Sequence, residues 1–440
     1  MGSGVSGDRR RNPVRYGLLF VIRQWRKRIR LILQESHSAV LNLLEGIKVV
    51  DFTTIVLGPY ASQFLGDFGA DVIKVEPLEG DGFRAARPGP SADIGAGFAN
   101  FNRNKRSIAI DLKHSAGKDV VTRLVADADV VVHNMRGKSA FALGIAHEQL
   151  QLIQPNLVYC WSPGFGSDGP DADSPAYDDI IQARSGLAAL NADTNGAPQF
   201  VRSILCDKVV GLHLALAVAA ALVRRERTGE GQRIEVPMLE AMASFNLAEH
   251  LAGQTMSPAQ GDVGYQRLLS SNRRPYATAD GYMAIMPYST KQWINFLLLV
   301  GESELADEGW VSDGAERSNR IDELYALIAR VAVNRTNEQW LIELSRVDVP
   351  CAVVNELSQV IADPQLASRG LLGTFDDGDL GVLHYLKPAF VSAPMSEVEP
   401  KRAPHIGEHS REIMRELGMT KGDIQSLIDQ HIVGDRVGED

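Results

Sequence analysis

Residues 47–76 read IKVVDFTTIVLGPYASQFLGDFGADVIKVE, and two periodicities alternate along them. IKVVDF is a short apolar run of strand length. GPYASQFLGDFGA spaces its apolar side chains as a helix does and closes on a glycine, and DVIKVE returns to a strand. This is a βαβ opening, and the alternation continues outward from it. SIAIDL (107–112) predicts a strand, Ser115 to Asp127 a helix, DVVVHN (129–134) a strand, His147 to Ile153 a helix and LVYCWS (157–162) a strand. Strands separated by helices of that length predict an α/β protein with a mostly parallel, Rossmann-like sheet.

Further along, Val209 to Arg225 predicts a long apolar helix that stops at the turn signal TGEGQ. RIEVPM (233–238) follows as a strand, with another helix through Ala241 and Phe245. After His250 the texture changes. Gln254 to Arg274 is rich in Gly, Ser, Gln and Asn and reads as a connection. YATADGYMAIMPYS (276–289) reads as a hairpin turning at Ala279, Asp280 and Gly281. Helices at Lys291–Val300 and Ile321–Val331 complete a small α+β domain, and VPCAVV restarts a strand near Pro350. The expected division is a basic extension over 1–43, a large domain over 44–240 and 349–440, a linker at 241–263 and a small domain at 264–348.

A chain of 440 residues with 45% hydrophobic and 23% charged residues has the composition of a folded globular enzyme. Its net charge of -10 and pI near 5.6 argue against a nucleic-acid binder, which needs surplus cations to neutralise phosphates. Three cysteines, Cys160, Cys206 and Cys351, lack CxxC spacing; this predicts a reducing, cytoplasmic setting with no disulfide framework and no metal site. The run Leu212 to Val223 is short for a bilayer and is expected as a buried core helix. Between Arg9 and Arg30 the chain is strongly basic around an apolar centre, Tyr16 to Ile22. No small-residue cleavage site follows, so it reads as an upstream extension without part in the chemistry, the alternative being an amphipathic helix that touches an anionic membrane.

LEGIKVVDFTTIVLGPYASQFLGDFGADVIKVE resembles the start of the family III CoA-transferases, the family of formyl-CoA transferase, carnitine CoA-transferase and α-methylacyl-CoA racemase. The resemblance runs through GDGFR, NRNKRSIAIDLK, VHNMRG, PAYDDIIQARSG, LCDKVVGLHLALAVAAALVRRERTGEGQ, DVPCAVVNEL, DPQLASRG and APHIGEHSREIMRELG, and so covers Leu44 to Val433. It implies an interlocked homodimer. It also implies an enzyme that moves coenzyme A from an acyl-CoA to a free carboxylic acid, with CoA as substrate and carrier and no permanently bound cofactor.

By that resemblance Asp207, in LCDKVVG, is the carboxylate that attacks the thioester, through an aspartyl anhydride and an aspartyl-CoA thioester. A carboxylate suits the task because it can displace a thiolate and keep the acyl group activated. Its place at a helix entrance favours the anion, although an N-cap aspartate would sit there for backbone reasons alone. Tyr177 and Asp178, in PAYDD, bear on which activity is present. Racemases of the family carry a histidine where Tyr177 stands, and a phenol titrating near ~10 is a poor proton abstractor beside an imidazole near ~6.5. Transferase is therefore favoured over racemase, and a non-catalytic CoA-ester binding protein is the second alternative.

Matching positions for CoA are Arg103, Lys105 and Arg106 for its phosphates, Ile110, Lys113 and Asn134 on the adenine side, and Arg136, with Gly137 and Ala142 departing from the family pattern. In TTIVLGPY, Thr54 and Val56 replace a histidine and a glutamine of formyl-CoA transferase, and a glycine-rich flap is replaced by YQRLLSSNRRPYATADG. An apolar Ile55, Val56 and Leu57 lining is expected to take a larger or less polar acid than formate or oxalate. His409, Cys351 and Cys206 are expected to be structural.

Overall fold

The computed structural model describes residues 41–378, 380–390 and 399–436. The basic stretch Arg9 to Arg30, and with it any membrane contact, lies outside the described residues. Those described form a mixed α/β fold with a central, mostly parallel sheet. They fall into two compact units. One takes the chain up to Asp51, Ser62–Asp129 and the chain from Val360; the other takes Phe52–Ala61 and Val130–Gln359.

In the first unit β1 (Lys48–Asp51), β2 (Asp71–Glu76) and β3 (Lys105–Ile110) run parallel, with Val49 opposite Val72 and Val75 opposite Ile108. Nearly every residue of these strands is buried, as expected when both faces of a parallel sheet are covered. Four of those residues carry charge. Lys105 Nζ donates to Asp51 Oδ2 at 3.1 Å and to Asn102 Oδ1 at 2.8 Å, and the Ser62 hydroxyl donates to the same Asp51 oxygen. Lys74 pairs with Asp81 at 2.9 Å, both wholly buried. Arg84 forks onto Glu76 at 2.6 and 2.8 Å, donates to the carbonyls of Asp93 and Pro404, and lies 3.7 Å over the Phe98 ring. Burying ions is costly, and the cost is offset only where each is paired and its remaining hydrogen-bonding capacity is met, as here.

In the second unit β4 (Val130–His133), β5 (Val158–Trp161) and β6 (Gln232–Glu235) are parallel. The Phe52 N–H donates to Val132 O at 2.9 Å, which anchors the 52–57 loop along β4. The apolar helix expected from Val209 begins four residues earlier and spans Leu205–Thr228. One face packs on the unit's core through Val210, Leu214 and Val218, while Leu212, Leu216 and Val223 are 45%, 69% and 52% exposed. The expectation of a buried core helix is therefore correct for one face only. By length and composition this helix could cross a membrane, and half of its apolar stretch is buried inside the fold.

The hairpin forms as expected, β7 (Tyr276–Ala277) against β8 (Tyr282–Ile285), and β9 (Cys351–Val353) adds to it antiparallel. Helices Thr290–Leu299, Ile321–Ala332 and Asn337–Arg346 pack around a core of Trp293, Phe296, Tyr325 and Trp340.

Replacing Arg84 by Met keeps much of its packing on Phe98 but leaves the Glu76 charge buried without its counter-ion. Urea unfolding of Arg84→Met should show a loss of about 3–5 kcal/mol, the usual consequence of breaking a buried pair from one side. A loss below ~1 kcal/mol would mean that Glu76 finds water or a proton in the native state.

Candidate active site

A helix leaves its first N–H groups without helical acceptors, and the residue before Leu205–Thr228 is Ile204, which has no side-chain acceptor to offer. Asp207, in the first turn, has its N–H met from another helix: Asp178 Oδ1, at the start of Asp178–Arg184, accepts it at 3.0 Å. The carboxylate of Asp207 is 8% exposed and is not itself the cap that its position in the sequence suggested. Burial, with the Asp178 charge alongside, pushes it up to about 7. The helix terminus favours the anion, as expected from the sequence, but desolvation and a like charge outweigh that. Burial, with Asp178 and Asp207 nearby, also pushes the Cys206 thiol up to about 12, so it is no ready nucleophile.

Asp207 faces a cavity of about 320 Å³ whose wall includes Thr54, Val56, Arg136, Tyr177 and Met238. Tyr177 is 68% exposed at the mouth, and no histidine among the described residues lines this cavity. The loop that forms one wall is held by its backbone. Asn134 clamps Thr54 twice, its Oδ1 accepting the Thr54 N–H and its Nδ2 donating to the Thr54 carbonyl, both at 3.0 Å. The next residue, Ile55, has φ +71°, a left-handed conformation that a β-branched residue adopts only under constraint. On the other side, Gly211 lets the loop lie against the Asp207 helix: a Cβ there would fall 2.7 Å from the Leu57 carbonyl oxygen.

The structure thus brings together Asp207, Asp178, Tyr177, Thr54, Val56, Asn134 and Arg136. It gives some of them other tasks than expected. The Asn134 amide is engaged with Thr54, and Val56 is 1% exposed, part wall and part core. Arg136 lies at the cavity, its guanidinium reaching the Asp173 carbonyl at 3.3 Å.

The remaining positions belong to the first unit, and three of their four cations are engaged there. Arg103 forks onto Asp67, Lys105 binds Asp51, and Arg106 holds Asp71 while reaching Glu412 and Glu416. Expected to meet phosphates, they instead neutralise carboxylates of their own unit. Ile110 is core and Lys113 is exposed in the turn after β3. His409 accepts the Ser107 N–H through Nδ1, a scaffold role as expected.

Two features escaped the sequence reading. Ile55 carries no signal for a left-handed backbone. Gln182, an amide one helical turn after Asp178 in DDIIQ, was readable only as a polar residue on a helix; its side chain is wholly buried and bonded to Asp178.

Residues 44–410 match the CoA-transferase family III. The chain is 32% identical over 387 residues to the succinate–glutarate CoA-transferase of Agrobacterium fabrum, covering 85% of this chain and 95% of that one. It is 29% identical over 418 residues to the formyl-CoA:oxalate CoA-transferase of Shigella sonnei, covering 89% and 99%. Among solved structures it superposes on a CAIB/BAIF family protein from Brucella suis with a TM-score of 0.71 at 31% identity, over 85% of this chain and 99% of the other. A match running nearly end to end through the described fold makes this chain a member of CoA-transferase family III, an acyl-CoA:carboxylate CoA-transferase.

Proposed function

We propose that Asp207 is the carboxylate that carries acyl group and CoA in turn. Its oxygen attacks the donor thioester carbon and expels CoA thiolate, leaving an acyl-aspartyl anhydride. The thiolate attacks the aspartyl carbonyl, releasing the donor acid and leaving aspartyl-CoA. The acceptor carboxylate attacks that thioester, and the thiolate then takes the acceptor acyl group and regenerates Asp207. The observation that carries the reading is a carboxylate residue only 8% exposed, its backbone N–H fixed by Asp178, on the wall of a cavity of about 320 Å³. Low exposure matters because both covalent intermediates hydrolyse readily.

Tyr177 at the mouth and a cavity wall without histidine among the described residues support transfer over racemisation, which needs proton carriers on both faces of the α-carbon. Arg136, the cation on this wall, is suited to an anionic part of CoA or of the acid. The rest of the wall, with Ile55, Val56, Leu57, Met135 and Met238, supports an acyl group with an apolar body. Relatives of nearly equal identity act on succinate with glutarate and on formate with oxalate, so identity alone does not choose the acid. The exposed Leu212, Leu216 and Val223 of the Asp207 helix support a homodimer in which a second copy covers that face, and the tryptophan-rich core of Tyr276 to Val349 supports 264–348 as the smaller domain. Three free cysteines are in keeping with the reducing cytoplasm.

Intact-mass measurement after mixing with acyl-CoAs and trapping with hydroxylamine should give a modified Asp207, absent from Asp207→Ala, and CoA should appear on a second acid. Deuterium entering the α-position with no adduct would sink the transferase reading and leave racemisation. The acylation rate should fall as pH drops through about 7, where Asp207 takes up a proton, and level off above it. A rate independent of pH between 5.5 and 8, on a scale of about two units around that value, would assign the attack to another group.

The same titration has a cost in stability. Between the ordinary carboxyl value of 3.8 and about 7 the native group holds a proton that the unfolded one has released, so stability falls as pH rises through that window. Asp207→Asn should therefore unfold at higher denaturant than wild type at pH 8, by on the order of 2–4 kcal/mol, and by nothing near pH 4. Equal stability of the two at pH 8 would show that the native carboxylate is solvated.

A further inference from the structure

Gln182 lies one turn after Asp178 on Asp178–Arg184, with no solvent exposure. Its Nε2 donates to Asp178 Oδ2 at 2.6 Å, and its Oε1 accepts the Val201 N–H at 2.8 Å. The same nitrogen lies 3.3 Å from the Val201 carbonyl and 3.4 Å from that of Ser203. Every partner of that nitrogen is an acceptor, and the partner of the oxygen is a donor. Turning the amide over would set its oxygen against a carboxylate and two carbonyls and its nitrogen against an N–H, so one orientation is enforced.

The bonds form a chain. It runs from the segment that leads into the Asp207 helix, through the Gln182 amide, to one oxygen of Asp178, whose other oxygen takes the Asp207 N–H. A carboxylate accepting on both oxygens cannot turn away. We infer that Gln182 is a positioning residue that governs when Asp207 gains or loses its proton, by fixing Asp178 as an oriented anion against the Asp207 backbone. This rests on the reading of Asp207 as the reacting carboxylate.

The other charges around Asp207 do not replace this one. Asp179 stands beside Asp178, and Arg136 and Tyr177 line the cavity with Asp207; Cys206 and Lys208 flank it, the lysine donating to the Ser203 hydroxyl. Of the elements packed on its helix, Met238–His250 turns Glu240 to the Gly166 N–H. From β5 the Tyr159 hydroxyl meets His133, and Cys160 is buried; from β6 Arg233 and Glu235 pair with each other. Without the Gln182 donor, Asp178 loses one of its two anchoring bonds and is free to rotate away, and its repulsion of a charged Asp207 weakens. Asp207 then gives up its proton at lower pH.

The test is a pH titration of the Asp207 carboxyl by infrared difference spectroscopy, wild type minus Asp207→Asn, repeated in Gln182→Met. The midpoint should fall by about one pH unit in Gln182→Met, the scale of a neighbouring like charge. A midpoint unchanged in a folded Gln182→Met protein overturns the inference. Should that variant fail to fold, Asp178→Asn removes the same charge and must lower the midpoint, and an unchanged value there overturns the inference equally. The readout needs no turnover, so a midpoint that moves in a protein forming no adduct would keep this inference and reject the reading of Asp207 as nucleophile.

Discussion

The Asp207 N–H, left without an acceptor by its own helix, has to be met by something, and what meets it is a carboxylate. That hydrogen bond ties Asp178–Arg184 to the start of Leu205–Thr228 and puts two acids at one helix terminus. The terminus favours negative charge there, while the low exposure of Asp207 and the neighbouring anion oppose it. The balance leaves Asp207 titrating near neutrality. A group balanced so closely can pass between neutral acid and anion without a large change in its surroundings.

The wall opposite is built from backbone more than from side chains. Two bonds from Asn134 hold Thr54, Ile55 is kept in a conformation it disfavours, and Gly211 admits the Leu57 carbonyl against the helix. Strain of that sort persists only where neighbours over-determine it. Here the neighbours are β4, whose end carries Asn134, and the helix that carries Asp207. The loop is therefore positioned in part by the helix that carries the carboxylate.

The sheet was legible because its strands are continuous apolar runs with helices of adequate length between them, and so was the β7–β8 hairpin. Of the residues singled out in the sequence, Asp207, Tyr177 and Arg136 line one cavity. The site was illegible where meaning comes from a partner distant in sequence. Arg103, Lys105 and Arg106 form a basic run when read in line, yet Asp67, Asp51 and Asp71 answer them across the fold. Asn134 reads as a ligand-facing amide until Thr54 is placed 80 residues away. A run of cations carries no mark of which carboxylates will meet it, because that depends on strand register and not on composition.

The charges buried under the first unit also bear on how this sequence can drift. At an ordinary core position such as Ile108 or Val75 a change to a neighbouring aliphatic residue is absorbed locally, at small cost. Asp51, Lys105, Lys74, Asp81, Glu76 and Arg84 have no such freedom, since each is the counter-ion of another. Losing one member strands its partner, whereas exchanging both for apolar residues of similar volume is close to neutral. Substitutions at these positions are thus tolerated in concert and rejected singly: the network is a set of epistatic pairs, and its members should covary where the surrounding hydrophobic core varies site by site.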